Sequence, residues 1–570
     1  MRPIVFLVLA FAVTHASAAK PNVLLICVDD LKPTLGCYGD PVAQTPHIDS
    51  IAARGVQFNK AYCNQAVCSP SRNALMTGLR PQTIGVYDLP TFFRNGAPDA
   101  ITLGQFLKSN GYHAESLGKI YHRGHGNGDD ADTWSVPHWN PPGPTYQLPK
   151  STADVQVTAD GKKRYASTER ADVADDSYAD GQTAIEAAKR IKAAAAQPDQ
   201  PFFLAVGFIR PHLPFVAPEK YWAMYDPNEL PMPELDSPPK NAPSFAPTTW
   251  GELRNYSDIP AKGTLTSETT RHLIHGYYAA TSYTDAQVGL VLKTLSETGL
   301  DDNTLIVFWG DHGWHLGDHG MWCKHTNYEQ AARIPLIIAT PDRQSAGSKT
   351  DALIETVDIY PTVAALARLG TPPGLDGVSQ AAVISDPTAH VRDHAIGVYP
   401  RSGRLGRAIR TQDYRLVQWR RFGADESEDL YELYDYVNDP LETENRIDQL
   451  PTVAAELKAL LAQHPDPRPP VPNKLKYNGA QFKSQTNTKA ASAKKDSTMP
   501  FSELTPEQQR QKREQWFDGR DADGDGKITR KEFGAKQDAD SDALDSRFAR
   551  YDTDGDGALS REEFVAAGKK

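Results

Sequence analysis

Cysteine is scarce in this sequence, and long apolar runs are almost absent from it. Only five of the 570 residues are cysteines, at positions 27, 37, 63, 68 and 323. Because five is an odd number, at most two disulfides can form and at least one thiol is left over. Beyond the N-terminus no apolar stretch approaches the ~18–20 residues that a membrane-spanning helix needs. These absences argue against a disulfide-stapled scaffold and against an integral membrane protein.

An excess of positive charge is also missing. Lys and Arg together number 61 and Asp and Glu 72, which gives a formal net charge of −11. This balance argues against non-specific nucleic-acid binding as the main activity. Much of the acid lies in 521–532 and 552–563, so the remaining chain is closer to neutral and can still form a local basic pocket. A chain of this length has room for two to four domains of roughly 100–200 residues each.

Residues 1–18 have the layout of a secretory signal peptide. Arg2 is followed by the apolar run 4–13 and by the small residues Ala16, Ser17 and Ala18, which are typical of a cleavage site. The sequence therefore predicts an exported protein, either periplasmic or secreted.

The pattern of apolar residues indicates the fold class. Segments 22–28, 201–208 and 303–309 are typical of fully buried strands, and long helical patterns occupy 180–196 and 272–298. This alternation predicts an α/β fold with a large, mostly parallel central sheet flanked by helices.

Polar residues with metal-binding chemistry directly follow two of these strands. Asp29 and Asp30 follow the first strand, and Asp311 and His312 follow the third. His212 lies beyond the second strand between two prolines that fix its backbone, as a positioned catalytic group requires. Ligands of α/β enzymes bind beyond the carboxyl ends of the strands, so we expect these side chains to meet. An oxygen-rich set favours Ca²⁺ or Mg²⁺ over Zn²⁺. The alternative for the two adjacent aspartates is a helix cap beside a solvated neighbour.

Further polar side chains occupy neighbouring segments. Lys119 and His122 follow a strand predicted at 113–117, and Lys324 lies on the same loop as Asp311. These groups could hold an oxyanion. The alternative is a surface lysine and a histidine that is satisfied within the core.

Cys68 begins the segment Cys-Ser-Pro-Ser-Arg, which leads into a helix predicted at 71–77. Arg72 lies one turn from the cysteine, and a helix N-terminus at this place suits a developing anion. In the sequence no metal-ligand spacing surrounds Cys68, and no general base stands beside it. The alternative is an ordinary buried cysteine, since free cysteine is among the most buried residue types.

The alternation of strands and long helices stops near residue 391. Short strands at 408–410, 414–419 and 430–434, followed by a helix at 452–463, predict a small α+β subdomain over 391–465. Residues 466–500 are first proline-rich and then polar, which is typical of a linker.

The last 70 residues repeat a calcium-loop pattern. Positions 1, 3, 5, 6, 9 and 12 are filled by Asp521, Asp523, Asp525, Gly526, Thr529 and Glu532, and again by Asp552, Asp554, Asp556, Gly557, Ser560 and Glu563. Position 7, which offers a backbone carbonyl, is Lys527 in the first loop and Ala558 in the second. We therefore predict an all-α EF-hand pair over 501–570 that binds up to two Ca²⁺. We expect its shared apolar interface to contain Trp516, Phe517, Phe533, Phe548 and Phe564.

Taken together, these motifs resemble the type I sulfatases of the alkaline phosphatase superfamily, and among them the iduronate-2-sulfatase family. The similar segments are Val28-Asp-Asp-Leu-Lys-Pro, Leu35-Gly-Cys-Tyr-Gly-Asp, Gly118-Lys-Ile-Tyr-His, Arg210-Pro-His-Leu-Pro-Phe, Asp311-His-Gly-Trp-His-Leu-Gly-Asp-His-Gly and Glu432-Leu-Tyr-Asp. The resemblance spans roughly residues 20–465. It implies an alkaline phosphatase-like catalytic domain over 20–390. The loops from 124 to 176 and the calcium-loop pair are not part of that family core.

The resemblance implies a modified nucleophile and one catalytic Ca²⁺. In such enzymes a formylglycine-generating enzyme recognises this pentapeptide and oxidises its cysteine thiol to an aldehyde. In this chain that cysteine would be Cys68. Asp29, Asp30, Asp311 and His312 would then hold Ca²⁺ together with the modified residue.

The resemblance also implies roles in catalysis for five other residues. Arg72, Lys119 and Lys324 would stabilise the charge of the sulfate or of the modified residue. His212 would be the acid for the leaving oxygen, and His122 would help to hold or deprotonate the second hydroxyl of the hydrated aldehyde.

The expected function is hydrolysis of sulfate esters of an anionic sulfated glycan, with exo-acting uronate 2-O-sulfatase as the leading hypothesis. Arg401, Arg404, Arg407 and Arg410 offer a basic rim for a carboxylate or second sulfate, and the alternative is a solvated strand edge. Two other functions stay open: a phosphonate or phosphodiester hydrolase of the same superfamily, and a catalytically dead extracellular calcium-binding scaffold. We expect neither nucleic acid nor a membrane span to be involved.

Overall fold

A computed structural model describes residues 20–153, 156–157 and 163–475 and parts of the C-terminal region, namely 510, 513–514, 516–517, 520–521, 525–534, 548–549 and 551–566. The predicted signal peptide, most of the predicted linker and Asp523 lie outside these residues. The chain divides into two compact units, Met1–Phe482 and Lys483–Lys570, and each is described by itself. Among the described residues, no helix combines the length and apolar character needed to cross a membrane.

The first unit is built on an eight-stranded sheet. In chain order its strands are β1 (Asn22–Val28), β2 (Val56–Tyr62), β3 (His113–Gly118), β4 (Phe202–Phe208), β5 (Thr304–Gly310), β6 (Arg333–Ala339), β7 (Ser348–Thr350) and β8 (Ile354–Glu355). Their spatial order is β7-β2-β6-β5-β1-β4-β3, and β8 also pairs with β2. β1 is parallel to β4 and β5, β3 is parallel to β4, and β7 and β8 are parallel to β2. The prediction of a large, mostly parallel sheet is therefore confirmed.

β6 differs from this arrangement because it runs antiparallel to both neighbours, β5 and β2. Its apolar sequence indicated a buried strand but carried no signal for direction. The reversal is confined to β6, since β2 on its far side again points the same way as β5.

Both faces of the sheet are covered, which explains why β1 is apolar along its whole length. Val23, Leu25 and Cys27 pack into one hydrophobic core, whereas Leu24 and Ile26 pack into a second core on the opposite face. Successive strand residues point to opposite faces, so only a sheet with helices on both sides buries every residue of such a strand.

The α-helices of the first unit are Pro46–Arg54, Cys68–Thr77, Pro81–Ile84, Leu103–Ser109, Pro149–Ala153, Ala179–Ala195, Glu219–Trp222, Ser267–Glu297, Glu329–Ala332, Ile359–Leu366, Ala381–Ser385 and Pro451–Leu461. The helix predicted at 272–298 begins earlier, because the Thr266 side chain accepts a hydrogen bond from the backbone N–H of Thr269 and caps it.

A second sheet follows the large sheet along the chain. Its four antiparallel strands are β9 (Ala395–Arg401), β10 (Arg404–Arg410), β11 (Tyr414–Arg421) and β12 (Leu430–Asp435). Helix Pro451–Leu461 contributes Ala454, Leu457 and Leu461 to a core shared with this sheet. The sequence predicted the last three strands and the helix but not β9.

Residues 466–475, the C-terminal strap, were predicted as the start of a linker, yet they are bonded to the first unit. The backbone N–H of Arg468 donates to the Gln82 carbonyl at 2.9 Å, and that of Val471 donates to the Gly85 carbonyl at 2.9 Å. Tyr87 Oη donates to the Arg468 carbonyl at 2.6 Å. A proline-rich segment looks like a linker in sequence, but its extended backbone can also lie along a surface and form such bonds.

The second unit contains the two calcium loops. Strands Lys527–Thr529 and Ala558–Ser560 pair antiparallel, and they lead directly into the helices Arg530–Gly534 and Arg561–Ala566, so short strands accompany the predicted helices. Gly526 and Gly557 both have φ +84°, a left-handed conformation that favours glycine and explains its place at position 6 of each loop.

The apolar interface of the second unit agrees only in part with the expected residues. Its buried members are Phe517, Ile528, Phe533, Phe548, Leu559 and Phe564. Trp516 is instead 41% exposed and lies outside this core. In the second loop, carboxylate oxygens of Asp552, Asp554 and Glu563 converge within 4.8 Å of one another.

Candidate active site

The predicted site residues come together at one edge of the large sheet. The adjacent strands β5, β1, β4 and β3 are parallel, so their carboxyl ends meet at this edge. Asp311 follows β5, Asp29 follows β1, Lys119 follows β3, and His212 lies four residues beyond β4. The expectation that strand ends would gather these side chains is met by the geometry.

Cys68 is the first residue of the buried helix Cys68–Thr77 and therefore lies at a helix N-terminus. Its Sγ lies 3.4 Å from Nε2 of His312. The Ser71 hydroxyl donates to the backbone carbonyl of Asp311 and so ties this helix to the β5 loop. The sequence showed no base next to Cys68, whereas the fold brings in a histidine from 244 positions away. All five cysteines are free thiols in the described chain.

Ligand atoms of Asp29, Cys68, Asp311 and His312 all lie within 4.8 Å of one another. His312 Nδ1 lies 3.0 Å from the Gly313 carbonyl, which can only accept a hydrogen bond, so Nδ1 carries the proton. The other ring nitrogen, Nε2, then faces Asp30 Oδ1 at 3.3 Å. A lone pair directed at a carboxylate is favourable only when a second proton or a cation lies between them. The donor set therefore fits a hard dication such as Ca²⁺.

The carboxylates of this cluster differ in their electrostatic surroundings. Burial alone would raise the pKa of Asp29, but Lys119 and Arg72 outweigh it and hold that pKa well below its usual range. Burial and the Asp29 charge together raise the pKa of Asp311 to about 6. A buried group of like charges of this kind is stabilised by any further positive charge.

Three cations surround the carboxylates. Arg72 Nη2 donates to Asp29 Oδ1 at 3.0 Å, and its Nε donates to Asp311 Oδ2 at 2.9 Å, so this side chain bridges two strand ends. Lys119 Nζ donates to the other oxygen of Asp29. Lys324 Nζ donates to both oxygens of Asp30, at 2.9 and 3.0 Å.

Glu252 is part of the site although the sequence gave no indication of it. One of its carboxylate oxygens lies 2.8 Å from Lys324 Nζ, and the other lies 3.1 Å from His212 Nε2. His212 Nδ1 lies 2.6 Å from the Leu213 carbonyl, which fixes the ring orientation. Burial lowers the pKa of His212, but Asp30 and other carboxylates outweigh that effect and raise it to about 10. Glu252 lies in an irregular segment, so no periodicity or motif marked it.

His122 lies near this cluster without a hydrogen bond to it. Its Nε2 faces Nδ1 of His125 at 3.2 Å, and the two rings are stacked. Burial lowers the pKa of His122 to about 3, so its ring is neutral at neutral pH.

The four arginines expected to form a basic rim do not share one surface. Arg407 and Arg410 are both buried, and because three positions separate them along β10 their side chains point to opposite faces of the sheet. Arg410 pairs with Glu329 at 3.2 Å, and Arg407 donates to backbone carbonyls such as that of Leu461 at 3.4 Å. The rim hypothesis is wrong for these two residues. Arg407 is bonded within the C-terminal subdomain, and Arg410 links that subdomain to the helix Glu329–Ala332.

Comparisons with known proteins agree with this geometry. The sulfatase family profile matches residues 21–369, a profile described as N-sulphoglucosamine sulphohydrolase, C-terminal, matches 317–465, and an EF-hand profile matches 514–535 and 544–566. Iduronate 2-sulfatase of Mus musculus is 32% identical over 526 residues, with 76% of this chain and 94% of that protein covered. Iduronate 2-sulfatase of Homo sapiens is 31% identical, with 74% and 90% covered.

Solved structures share the fold at lower identity. A complex described as containing its substrate, D-glucosamine-2-N,6-O-disulfate, has a TM-score of 0.61 at 24% identity and covers 78% of this chain and 97% of that one. The phosphonate monoester hydrolase of Agrobacterium radiobacter has a TM-score of 0.60 at 23% identity, with 78% and 96% covered.

Proposed function

Since the chain belongs to the sulfatase family of the alkaline phosphatase superfamily, we propose that it hydrolyses sulfate esters of a sulfated glycan with a formylglycine made from Cys68. The observation that carries this proposal is the position of Cys68, at a helix N-terminus and 3.4 Å from His312, among carboxylates from two strand ends. Conversion of Cys68 requires a formylglycine-generating enzyme as a partner during maturation.

In the proposed mechanism, the hydrated aldehyde presents two geminal hydroxyl groups. One hydroxyl gives its proton to a carboxylate of the cluster, and its oxygen forms a bond to sulfur while the bond from sulfur to the sugar oxygen breaks. His212 gives the departing sugar oxygen its proton. The second hydroxyl then loses its proton, the aldehyde C=O forms again, and sulfate leaves. His122, whose ring is neutral, is our candidate for holding that hydroxyl or accepting its proton. Ca²⁺ bound by Asp29, Asp30, Asp311 and His312 would supply Lewis acidity.

The cations have separate tasks in this proposal. Arg72 is bound on both sides by Asp29 and Asp311, so it holds the carboxylates in place and does not reach toward a ligand. Lys119 and Lys324 carry the remaining positive charge near Cys68. They are therefore our candidates for stabilising the sulfate oxygens during transfer.

For the substrate we propose a uronate 2-O-sulfate, because the iduronate 2-sulfatases match most of this chain. The test is a panel of sulfated oligosaccharides in which released sulfate and product masses are measured together. Cleavage of neutral monosulfated galactans without cleavage of uronate disaccharides would refute this specificity.

Two other functions are kept because particular observations favour them. The fold shared with a phosphonate monoester hydrolase makes phosphodiester hydrolysis testable, by comparing kcat/KM for an aryl sulfate and an aryl phosphodiester. The two calcium loops would also suit an inactive extracellular scaffold. Mass spectrometry of Cys68 in protein from the native host distinguishes an inactive scaffold from an active enzyme, since an unmodified thiol favours the scaffold. Export through the signal peptide, to the periplasm or the exterior, is part of the same proposal.

Glu252→Gln should lower kcat by about 10- to 100-fold, a loss typical of groups that orient a metal ligand or its partners. The neutral amide keeps the shape of the Glu252 side chain but no longer balances the positive charge of Lys324 and His212. The measurement is kcat for an aryl sulfate, with Glu297→Gln, 55% exposed, as the matched control. Unchanged turnover would show that Glu252 lies beside the site without contributing to catalysis.

Two truncations should separate the calcium-loop unit from the C-terminal strap. A chain ending at Phe482 keeps the strap, and we expect unchanged turnover of an aryl sulfate and of an oligosaccharide. A chain ending at Gln463 loses the bonds from Arg468 and Val471, and its unfolding free energy should fall by about 2 kcal/mol or more. If the chain that ends at Phe482 loses activity on the oligosaccharide but not on the aryl sulfate, the calcium-loop unit is instead a substrate-binding arm.

A further inference from the structure

A cavity of about 730 Å³ opens beside the candidate active site. Lys119 and His212 line one part of it, and Arg123, Asn127 and Asn140 line another. Its volume lies within the range of about 300–1,000 Å³ that is usual for small-molecule sites. The cavity is therefore large enough for a sugar or a short oligosaccharide.

Most charged groups of this cavity are already engaged within the protein. Lys119 is bonded to Asp29. The Arg210 side chain donates to the carbonyl of Pro214 at 2.6 Å. Asp180 accepts the backbone N–H groups of Ile209 and Arg210, each at 2.8 Å. The Arg210 and Asp180 side chains therefore shape the wall and have little capacity left for a ligand, and Lys119 is the group proposed above for the transferred sulfate.

Arg123 differs from these groups. It is exposed, and no hydrogen bond or ion pair joins its side chain to another residue in the part of the chain that the structure describes. The neighbouring lining residue Asn127 is buried and held by donation from its Nδ2 to Ser69 Oγ at 3.1 Å and to the Leu89 carbonyl at 2.9 Å. Arg123 therefore presents a guanidinium that has no bonded partner among the described residues, next to a fixed wall. Its charge acts on the buried Asp129 carboxyl, where burial raises the pKa and Arg123 opposes that effect.

The position of His212 indicates which part of the substrate the cavity would hold. If His212 protonates the leaving oxygen, the sugar attached to that oxygen must lie on the His212 side of Cys68, where the cavity is. We infer that the cavity is the leaving-group subsite and that Arg123 binds a second anionic group of the sugar, a carboxylate or a further sulfate. This inference rests on the proposed function. A planar guanidinium suits bidentate contact with a carboxylate, so a uronate is the preferred occupant.

The test measures binding, so that it does not depend on turnover. Cys68→Ala protein, which cannot consume the ligand, is titrated by calorimetry with a 2-O-sulfated uronate disaccharide and with its carboxyl-reduced counterpart. Adding Arg123→Ala should weaken binding of the uronate by about 10- to 100-fold, and binding of the reduced sugar much less. Arg123→Lys should lie between, because it keeps the charge but loses the bidentate geometry. Lys293→Ala, which removes the same charge from an exposed helical position, should change neither affinity.

The outcomes separate the subsite from the chemistry. An equal loss for both sugars, or no binding of the uronate by Cys68→Ala protein, overturns the assignment of Arg123. A 6-O-sulfated sugar that keeps its dependence on Arg123 after carboxyl reduction would identify sulfate as the anion recognised and uphold the subsite. If the wild-type enzyme releases no sulfate while the uronate still binds through Arg123, the proposed reaction fails and the subsite stands.

Discussion

Replacing Cys68 with alanine should abolish sulfate-ester hydrolysis and leave the fold intact. Removal of a covalent nucleophile lowers kcat by at least about 10⁴-fold in enzymes whose other catalytic groups remain. The loss should be this large because no other residue at the site offers a carbon that can carry two hydroxyl groups. The side chain itself contributes little to the fold, since its polar contact is the single approach to His312.

Mass spectrometry, circular dichroism, thermal unfolding and turnover together check this prediction. The peptide that contains Cys68 should be lighter in the active protein by the difference between –CH₂SH and –CHO. Circular dichroism and thermal unfolding of Cys68→Ala should match the wild type, and Cys37→Ala, a change at a partly exposed cysteine, should keep full turnover. Wild-type activity from the Cys68→Ala enzyme would disprove the formylglycine mechanism.

Much of the candidate site could be predicted from the sequence because its residues stand next to strand ends. Asp29 and Asp30 adjoin β1 and Asp311 adjoins β5, so a correct assignment of buried parallel strands already places them together. The strands themselves were readable because burial on both faces leaves them uniformly apolar. The local sequence therefore indicated both the types of the candidate ligands and their place at the strand ends.

Contacts that depend on tertiary structure were not readable in this way. Glu252 reaches Lys324 across 72 positions from an irregular loop, and neither residue has a periodic pattern that indicates the other. The pair of Cys68 and His312 likewise requires β2 and β5 to flank β6, whose direction no local feature encodes. Alternation along β10 could have shown that Arg407 and Arg410 cannot share a face, because strand residues three positions apart point to opposite sides.

Replacing Asp311 with the isosteric asparagine should both destabilise the protein and lower kcat/KM by at least about 100-fold. Asp311 Oδ1 accepts the backbone N–H groups of Asp30 and His312, both at 3.0 Å, and Oδ2 accepts Nε of Arg72 at 2.9 Å. An asparagine amide must direct its NH₂ group at one of these donors in either orientation. Arg72 also loses one of its two buried carboxylate partners, and breaking a buried pair costs about 3–5 kcal/mol.

Asp311→Ala is the comparison that isolates the donor conflict. Alanine removes the carboxylate but brings no NH₂ group toward the three donors, so asparagine should be no more stable than alanine although it preserves the native volume. Urea unfolding of both variants measures this, with Asp302→Asn, whose side chain is 85% exposed, as the control for loss of one charge. An asparagine variant as stable as the wild type would mean that Arg72 and the two backbone N–H groups find other acceptors. In that case Asp311 would contribute its charge to the site but would not hold the strand ends together.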